Sequence, residues 1–309
     1  MKYNSDGGTL FCMKNRLSAY IGLLRPRFAL IWSLLFSSAY VLGAVLNGTF
    51  SFLGLIEAFF IGFLGLIAGL IINDYVDREF DARCPICREE EGGTFPTKPL
   101  ARGLIPPSHA VFLSSAFVFL AAVLVFLSFP QPHSVIVLIL LFFCLTIEIF
   151  YQEEKRNQVF PWAQIIGMTG FGFFIVAGYL IAGKPDRVAA LIFLFAYPLS
   201  LAYLGVTDLI DINKDIVRGM KTITVLYGVN RSILWIAFWT AVHCIAAFLF
   251  MVQLGGVSRA GILAGLIMAC LANVMLLKNK SSETAIRILP LFQLSIVIYA
   301  ISLATAHLI

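Results

Sequence analysis

Charge is what this chain has least of. Asp, Glu, Lys and Arg together make up 13% of the 309 residues, histidine occurs four times, and 60% of positions are hydrophobic. The mean hydropathy is +0.92. A soluble domain carries nearer ~45–50% apolar residues, so a water-facing globule is excluded and an integral membrane protein remains. The net charge of +5 implies no nucleic-acid partner, because a membrane protein gathers such an excess by keeping Lys and Arg in its cytoplasmic loops. A signal-peptide pattern is absent as well. The charged stretch 1–27 leads into the apolar run 28–46, which is long enough to span and has no clear small-residue cleavage site, so the first span is expected to be retained.

Cysteine pairing has little to work with. Cys144, Cys244 and Cys270 fall inside apolar runs, where cysteine behaves as a small hydrophobe, and only Cys84 and Cys87 form a CxxC. A zinc site would need two further ligands and His109 is the single candidate nearby, so the pair reads as two free thiols in a cytosolic loop.

Long apolar runs, by contrast, are abundant. Nine segments can span, at about 28–46, 52–73, 110–128, 134–151, 159–182, 189–207, 232–253, 260–277 and 288–308, each near the ~20 residues a bilayer requires. With the N-terminus inside, all of the 22 basic residues except Lys184, Arg187 and Arg259 fall in cytoplasmic segments. That bias fixes the orientation, with the C-terminus outside. The expected fold is a single all-α membrane domain over 1–309: nine transmembrane helices in a bundle around a central cavity, with cytoplasmic cap loops at about 82–109 and 212–231. Asn47-Gly48-Thr49 and Phe129–His133 read as short external turns.

Two acidic stretches with matching spacing mark the cytoplasmic ends of spans 2 and 6. Asp74, Asp77 and Asp81, and again Asp208, Asp211 and Asp215, fall at i, i+3 and i+7, which on an α-helix places each triad on one face. Three like charges on one stripe repel unless a cation lies between them, and hard carboxylate oxygens are the ligands Mg²⁺ accepts. Read singly, either stretch could be a solvated helix end; the recurrence favours a site. Mg²⁺ rarely sits in an all-protein cage, so an anionic ligand such as diphosphate is expected to supply further oxygens. Arg78, Lys98, Arg102, Arg218 and Lys221 follow the acidic stretches closely enough to neutralise phosphate oxygens, although each taken alone also fits a positive-inside anchor. A diphosphate at the mouth of an apolar bundle implies a hydrocarbon tail between the helices. Glu148 lies one helical turn before Tyr151 near the cytoplasmic end of span 4, and an ionisable group at that depth is a candidate proton acceptor. Glu57 lies near the outer end of span 2 and reads as paired or snorkelling.

Asn73-Asp74-x-x-Asp77-x-x-x-Asp81 with Lys98-Pro99-Leu100-Ala101-Arg102-Gly103, and Asp208-x-x-Asp211-x-x-x-Asp215-x-x-x-Gly219-x-Lys221-Thr222, resemble the two signatures of the UbiA superfamily of intramembrane prenyltransferases. The resemblance implies Mg²⁺-bound isoprenyl diphosphate as donor and transfer of its prenyl group to a lipophilic or aromatic acceptor within the membrane. The acceptor is expected to be a quinone or chlorophyll-type head group or a glycerol-phosphate ether lipid. It further implies that the six aspartates hold metal, with Asn73 beside them, and it extends to Tyr151 and Lys155 as substrate-binding residues. The chain departs from the pattern in three places. Lys98 stands where an arginine is common, the stretch between Asp81 and Lys98 is longer than usual and holds Glu89–Glu91, and the end of span 4 matches loosely. A terpene cyclase of the same superfamily, acting on the diphosphate alone, and a divalent-cation transporter are the competing readings.

Overall fold

The computed structural model describes residues 17–85 and 98–308. Among these the chain is helical throughout, with no strand, and nine helices are long and apolar enough to cross a membrane. In chain order the elements are α1 (Pro26–Leu46), α2 (Phe52–Arg83), α3 (Pro107–Ser128), α4 (His133–Glu154), α5 (Trp162–Gly167), α6 (Thr169–Leu180), α7 (Arg187–Ile210), α8 (Ile212–Arg218), α9 (Ile223–Met251), α10 (Gly256–Lys278) and α11 (Ser282–Ala304). Helices α5 and α6 together make one span, Trp162–Leu180.

Side-chain oxygens start the helices where the sequence offers them. Ser51 accepts from Gly54 N, Asp186 from Val188 N and Ala189 N, and Ser281 from Thr284 N, each satisfying a donor that the first helical turn leaves unpaired. The bundle then sorts by burial. In α1 and α7, 72% of the apolar window is buried against other helices, whereas in α3 and α4 the figure is 22%, so the former pair builds the centre and the latter faces lipid. Small residues allow the closest approach: a Cβ on Gly178 would fall 2.2 Å from Phe36 O, and one on Gly43 would fall 2.5 Å from Tyr179 O. Such contacts drive helix association where lipid removes the hydrophobic incentive. Buried polar pairs lock the other side, with His243 bonded to Phe195 O at 2.8 Å and to Tyr299 Oη at 3.0 Å, and Asn273 donating to Thr240 at 2.9 Å.

Helix α2 continues beyond its apolar run and through the first acidic stretch to Arg83, as the helical spacing of its aspartates predicts, and these find buried ionic partners there. Two expectations are corrected. The second triad does not lie on one continuous helix: Asp211 ends α7 and begins α8, with φ −93° and ψ 12°. The segment 212–231, expected as a cap over the site, contains α8, a turn at Gly219 with φ +70°, and the first turns of α9, which begins at Ile223 and bends at Gly228. Cys84 is buried at the end of α2 and is disulfide-bonded, not a free thiol. Cys87 and Glu89–Glu91 lie outside the described residues.

Candidate active site

The two acidic motifs meet at one end of the bundle. Asp74, Asp77 and Asp81 are each no more than 2% exposed on the inner face of α2. Burial of three adjacent carboxylates costs too much unless they are paired, and the chain brings basic side chains from four separate places to meet them. Arg25, in a left-handed turn with φ 46° just before α1, pairs with Asp74 Oδ1. Lys98 Nζ lies 2.8 Å from Asp74 Oδ1 and 3.1 Å from Asp81 Oδ2. Lys155 Nζ and Arg156 Nη2 each lie 2.7 Å from one oxygen of Asp77. Arg218 reaches Asp81 Oδ1 at 2.6 Å with one nitrogen and Asp215 Oδ1 at 2.5 Å with the other, tying the motifs together.

Local folding explains why these cations arrive. After Lys98 the backbone makes a tight turn, with Arg102 N bonded to Lys98 O, Leu104 N to Pro99 O, and Gly103 at φ +68°. Leu100 and Ile105 from this turn pack with Leu23, Ile67 and Ile71, which pins Lys98 over the end of α2. On the other side, Met220 N bonds Asp215 O, and Lys221 N bonds Lys155 O at 2.8 Å. Thr222 Oγ1 donates to Asp215 Oδ2 at 3.1 Å. These bonds hold α8 against the end of α4.

Outside the spans, three groups report the field. Burial alone would lower the Lys98 ammonium, but the Asp74 and Asp81 charges outweigh it and hold it above the ordinary value. Burial likewise acts to lower Arg218, and Asp215, Asp81 and Asp77 override it upward. The Asp215 carboxyl is raised, by burial first, against the opposing pull of Arg218 and with Asp211 adding to the rise. Five basic side chains pair with the first motif, whereas the second has Arg218 on Asp215 and Lys214 Nζ 3.8 Å from Asp211.

Inward from the charged mouth lies a cavity of about 220 Å³. Asn73, Asp77, Lys98, Glu148, Tyr151, Lys155, Asp208, Asp211, Asp215 and Arg218 line its polar end. Phe28, Trp32, Phe171 and Tyr203 line its interior, with ring centroids between 4.8 and 6.4 Å apart. Glu148 accepts from Gln152 Nε2 at 2.5 Å and is hydrogen-bonded to Asn73. Lys155 Nζ lies 5.4 Å from the centre of the buried Tyr151 ring.

Not every residue expected at the site is found there. Arg78 stacks on Tyr75 at 4.2 Å and bonds Tyr75 O and Glu79; it does not line the cavity. Arg102 is exposed and does not line the cavity, and Lys221 contributes its backbone to the α4 contact without lining it either. Conversely, the structure brings to the first motif Arg25 and Arg156, which the sequence marks only as positive-inside anchors. The adjacency of Arg25 to Pro26, which cannot continue a helix from the N-terminal side, and of Arg156 to Lys155 were the signals available.

The donor set fits a hard divalent cation. It consists of carboxylate oxygens, and two of them, Asp74 Oδ2 and Asp208 Oδ2, are buried without a hydrogen-bond partner, which is costly unless another ligand engages them. As the side chains stand, no three His, Cys, Asp or Glu among the described residues converge as a metal cluster.

Comparison with known proteins accords with this geometry. The UbiA prenyltransferase family model matches residues 16–297, and the chain belongs to that family. It is 30% identical to 4-hydroxybenzoate octaprenyltransferase of Neisseria meningitidis over 218 residues, covering 70% of this chain and 69% of that one. It is 28% identical to digeranylgeranylglyceryl phosphate synthase of Korarchaeum cryptofilum over 277 residues, covering 87% and 90%. Among solved structures, a UbiA homolog from Aeropyrum pernix K1 superposes with a TM-score of 0.72 at 17% identity, over 88% of this chain and 95% of that one. A UbiA homolog from Archaeoglobus fulgidus bound to GPP and Mg²⁺ gives 0.67 at 17% identity, over 93% and 99%. The protein is an integral membrane prenyltransferase of the UbiA family.

Proposed function

We propose that the chain transfers the prenyl group of an isoprenyl diphosphate to a lipophilic acceptor, with Mg²⁺ held by Asp74, Asp77 and Asp81 and by Asp208, Asp211 and Asp215. The observation that carries this reading is the meeting of both acidic motifs at the charged mouth of one cavity whose interior is aromatic and apolar. When bound, Mg²⁺ neutralises diphosphate oxygens and improves the leaving group. Lys98, Lys155 and Arg218 take the remaining phosphate charge. As the carbon–oxygen bond of the donor breaks, positive charge develops on the allylic carbon, and the faces of Phe28, Trp32, Phe171 and Tyr203 stabilise it while excluding water. The new bond forms to the acceptor, whose proton passes to Glu148. Tyr151 and Asn73 hold Lys155 and Glu148 in place.

The named relatives act on 4-hydroxybenzoate or build digeranylgeranylglyceryl phosphate, and the acceptor here is proposed to be a quinone-precursor ring or a glycerol-phosphate lipid. Cation transport is disfavoured because five basic side chains sit within 4.0 Å of the first-motif carboxylates; they would repel a bare divalent ion. The site is proposed to face the cytoplasm with the C-terminus outside, which a C-terminal reporter fusion tests. Function is tested by diphosphate release from purified protein given geranylgeranyl diphosphate and Mg²⁺, with and without host lipid extract, beside Asp74→Asn. Release that requires Mg²⁺, Asp74 and extract is expected, and mass spectrometry of the product identifies the acceptor. Terpene formed without extract would replace transfer by cyclisation, and no release across donor lengths would overturn the reading.

A further inference from the structure

The cavity does not end at its aromatic interior. Gly65, Cys144, Leu145 and Phe174 line it and also line a second, smaller cavity of about 40 Å³. The other walls of that space come from α3 and α4, among them Ala121, Ala122, Leu138 and Phe142. The second cavity is almost wholly apolar in its lining, and its outer wall, Phe142, is 55% exposed on the lipid-facing side of α4. Helices α3 and α4 pack only sparsely on each other, α3 resting mainly on α2. A slot therefore leads from the main cavity, past α2, towards the bilayer.

Glycine stands at the junction without a packing reason. At Gly178 and Gly43 a Cβ would collide with backbone, but at Gly65 it would rest 3.9 Å from Leu141 Cδ2, and at Gly69 4.0 Å from Leu145 Cδ2. Both are ordinary van der Waals distances, and neither residue needs a left-handed backbone. Alanine would fit at either place; a longer side chain at Gly65 would have to enter the passage between the two cavities. The two glycines are four residues apart on one face of α2, and the open strip they leave starts at the level of the polar mouth, one turn before Asn73, and runs to the slot.

We infer that Gly65 is a specificity-determining position: the far isoprene units of the donor pass it and lie in the slot between α2, α3 and α4, so the passage at Gly65, not the aromatic interior, limits donor length. The inference rests on the proposed prenyl-diphosphate function. With the diphosphate fixed at the charged end, a short tail fits the main cavity, and the excess of a long one has an apolar exit whose lining suits hydrocarbon.

The test compares wild type, Gly65→Ala, Gly65→Phe and Ala122→Phe for diphosphate release from geranyl, geranylgeranyl and octaprenyl diphosphates. The ratio of octaprenyl to geranyl turnover is expected to fall by about tenfold or more in both Phe variants and to hold in Gly65→Ala. Because Ala122 lies in the slot and outside the main cavity, its variant decides the matter if Gly65→Phe fails to fold. In wild type, a long donor bearing a photoreactive group at its far end is expected to label residues 118–122 and 138–142. An unchanged ratio in both Phe variants, or labelling confined to other helices, overturns the inference while leaving prenyl transfer intact. Absence of release or labelling with any donor in wild type overturns the underlying function.

Discussion

Arg218 joins the two acidic motifs, and removing it should be costly to the fold. Its side chain is 11% exposed, with Asp81 at 2.6 Å and Asp215 at 2.5 Å. Breaking a buried ion pair by deleting one partner typically costs about 3–5 kcal/mol, because the other charge stays buried and uncompensated. Two carboxylates would be stranded by Arg218→Met, but each keeps one partner: Lys98 at 3.1 Å on Asp81, and the Thr222 hydroxyl at 3.1 Å on Asp215. The expected loss is therefore at the lower end, about 3 kcal/mol. For a chain of this size that lowers the melting midpoint by about 6–12 °C. The assay is intrinsic-fluorescence melting of detergent-purified protein at one fixed scan rate, since large membrane proteins often unfold irreversibly. Arg218→Met with Asp81→Asn should melt above Arg218→Met alone, because the stranded charge is gone. A drop below about 2 °C, or a double variant that is merely the sum of the singles, would refute the bridging role.

Other variants probe separate parts of the account. Gly178→Val places methyl groups where even a Cβ would fall 2.2 Å from Phe36 O, so folded yield should collapse. Gly256→Ala, with nothing within 4 Å of the new Cβ, should purify and melt like wild type. Asp186→Ala removes the cap of α7 and should cost about 1 kcal/mol, read as a small, donor-independent fall in melting midpoint. Lys98→Met removes the charge-assisted contact to phosphate proposed for Lys98 and should raise the KM for the diphosphate donor about tenfold or more; an unchanged KM would place the donor elsewhere.

The apolar runs displayed the nine spans because length and hydropathy are local properties of sequence. The i, i+3, i+7 spacing placed the first triad correctly because α2 stays helical through it. The same spacing misled at the second triad, where the chain bends at Asp211 to set Asp215 against Arg218. Nothing in a one-dimensional pattern distinguishes a helix that continues from one that restarts. Basic residues were the least legible. Arg25 and Arg156 enter the site from distant segments, whereas Arg78, inside the first motif, is turned onto Tyr75 and Glu79. Which cations meet the carboxylates is decided by packing, through the 98–105 turn and the contact between α4 and the 219–222 turn. The cavity rings were equally hidden, since four of many aromatic residues are singled out only by where α1, α6 and α7 bring them.

The central claim is that the two acidic motifs form one site for a divalent cation and a diphosphate. Mn²⁺, which shares the preference of Mg²⁺ for hard oxygen ligands, can be followed by the electron paramagnetic resonance of the free ion, in the presence of an unreactive geranylgeranyl thiodiphosphate. The account predicts that Mn²⁺ is taken up by wild type when the analogue is present, and that Asp74→Asn and Asp208→Asn each abolish uptake although they lie on different helices. Uptake that survives either substitution, or that is indifferent to the analogue, would contradict it.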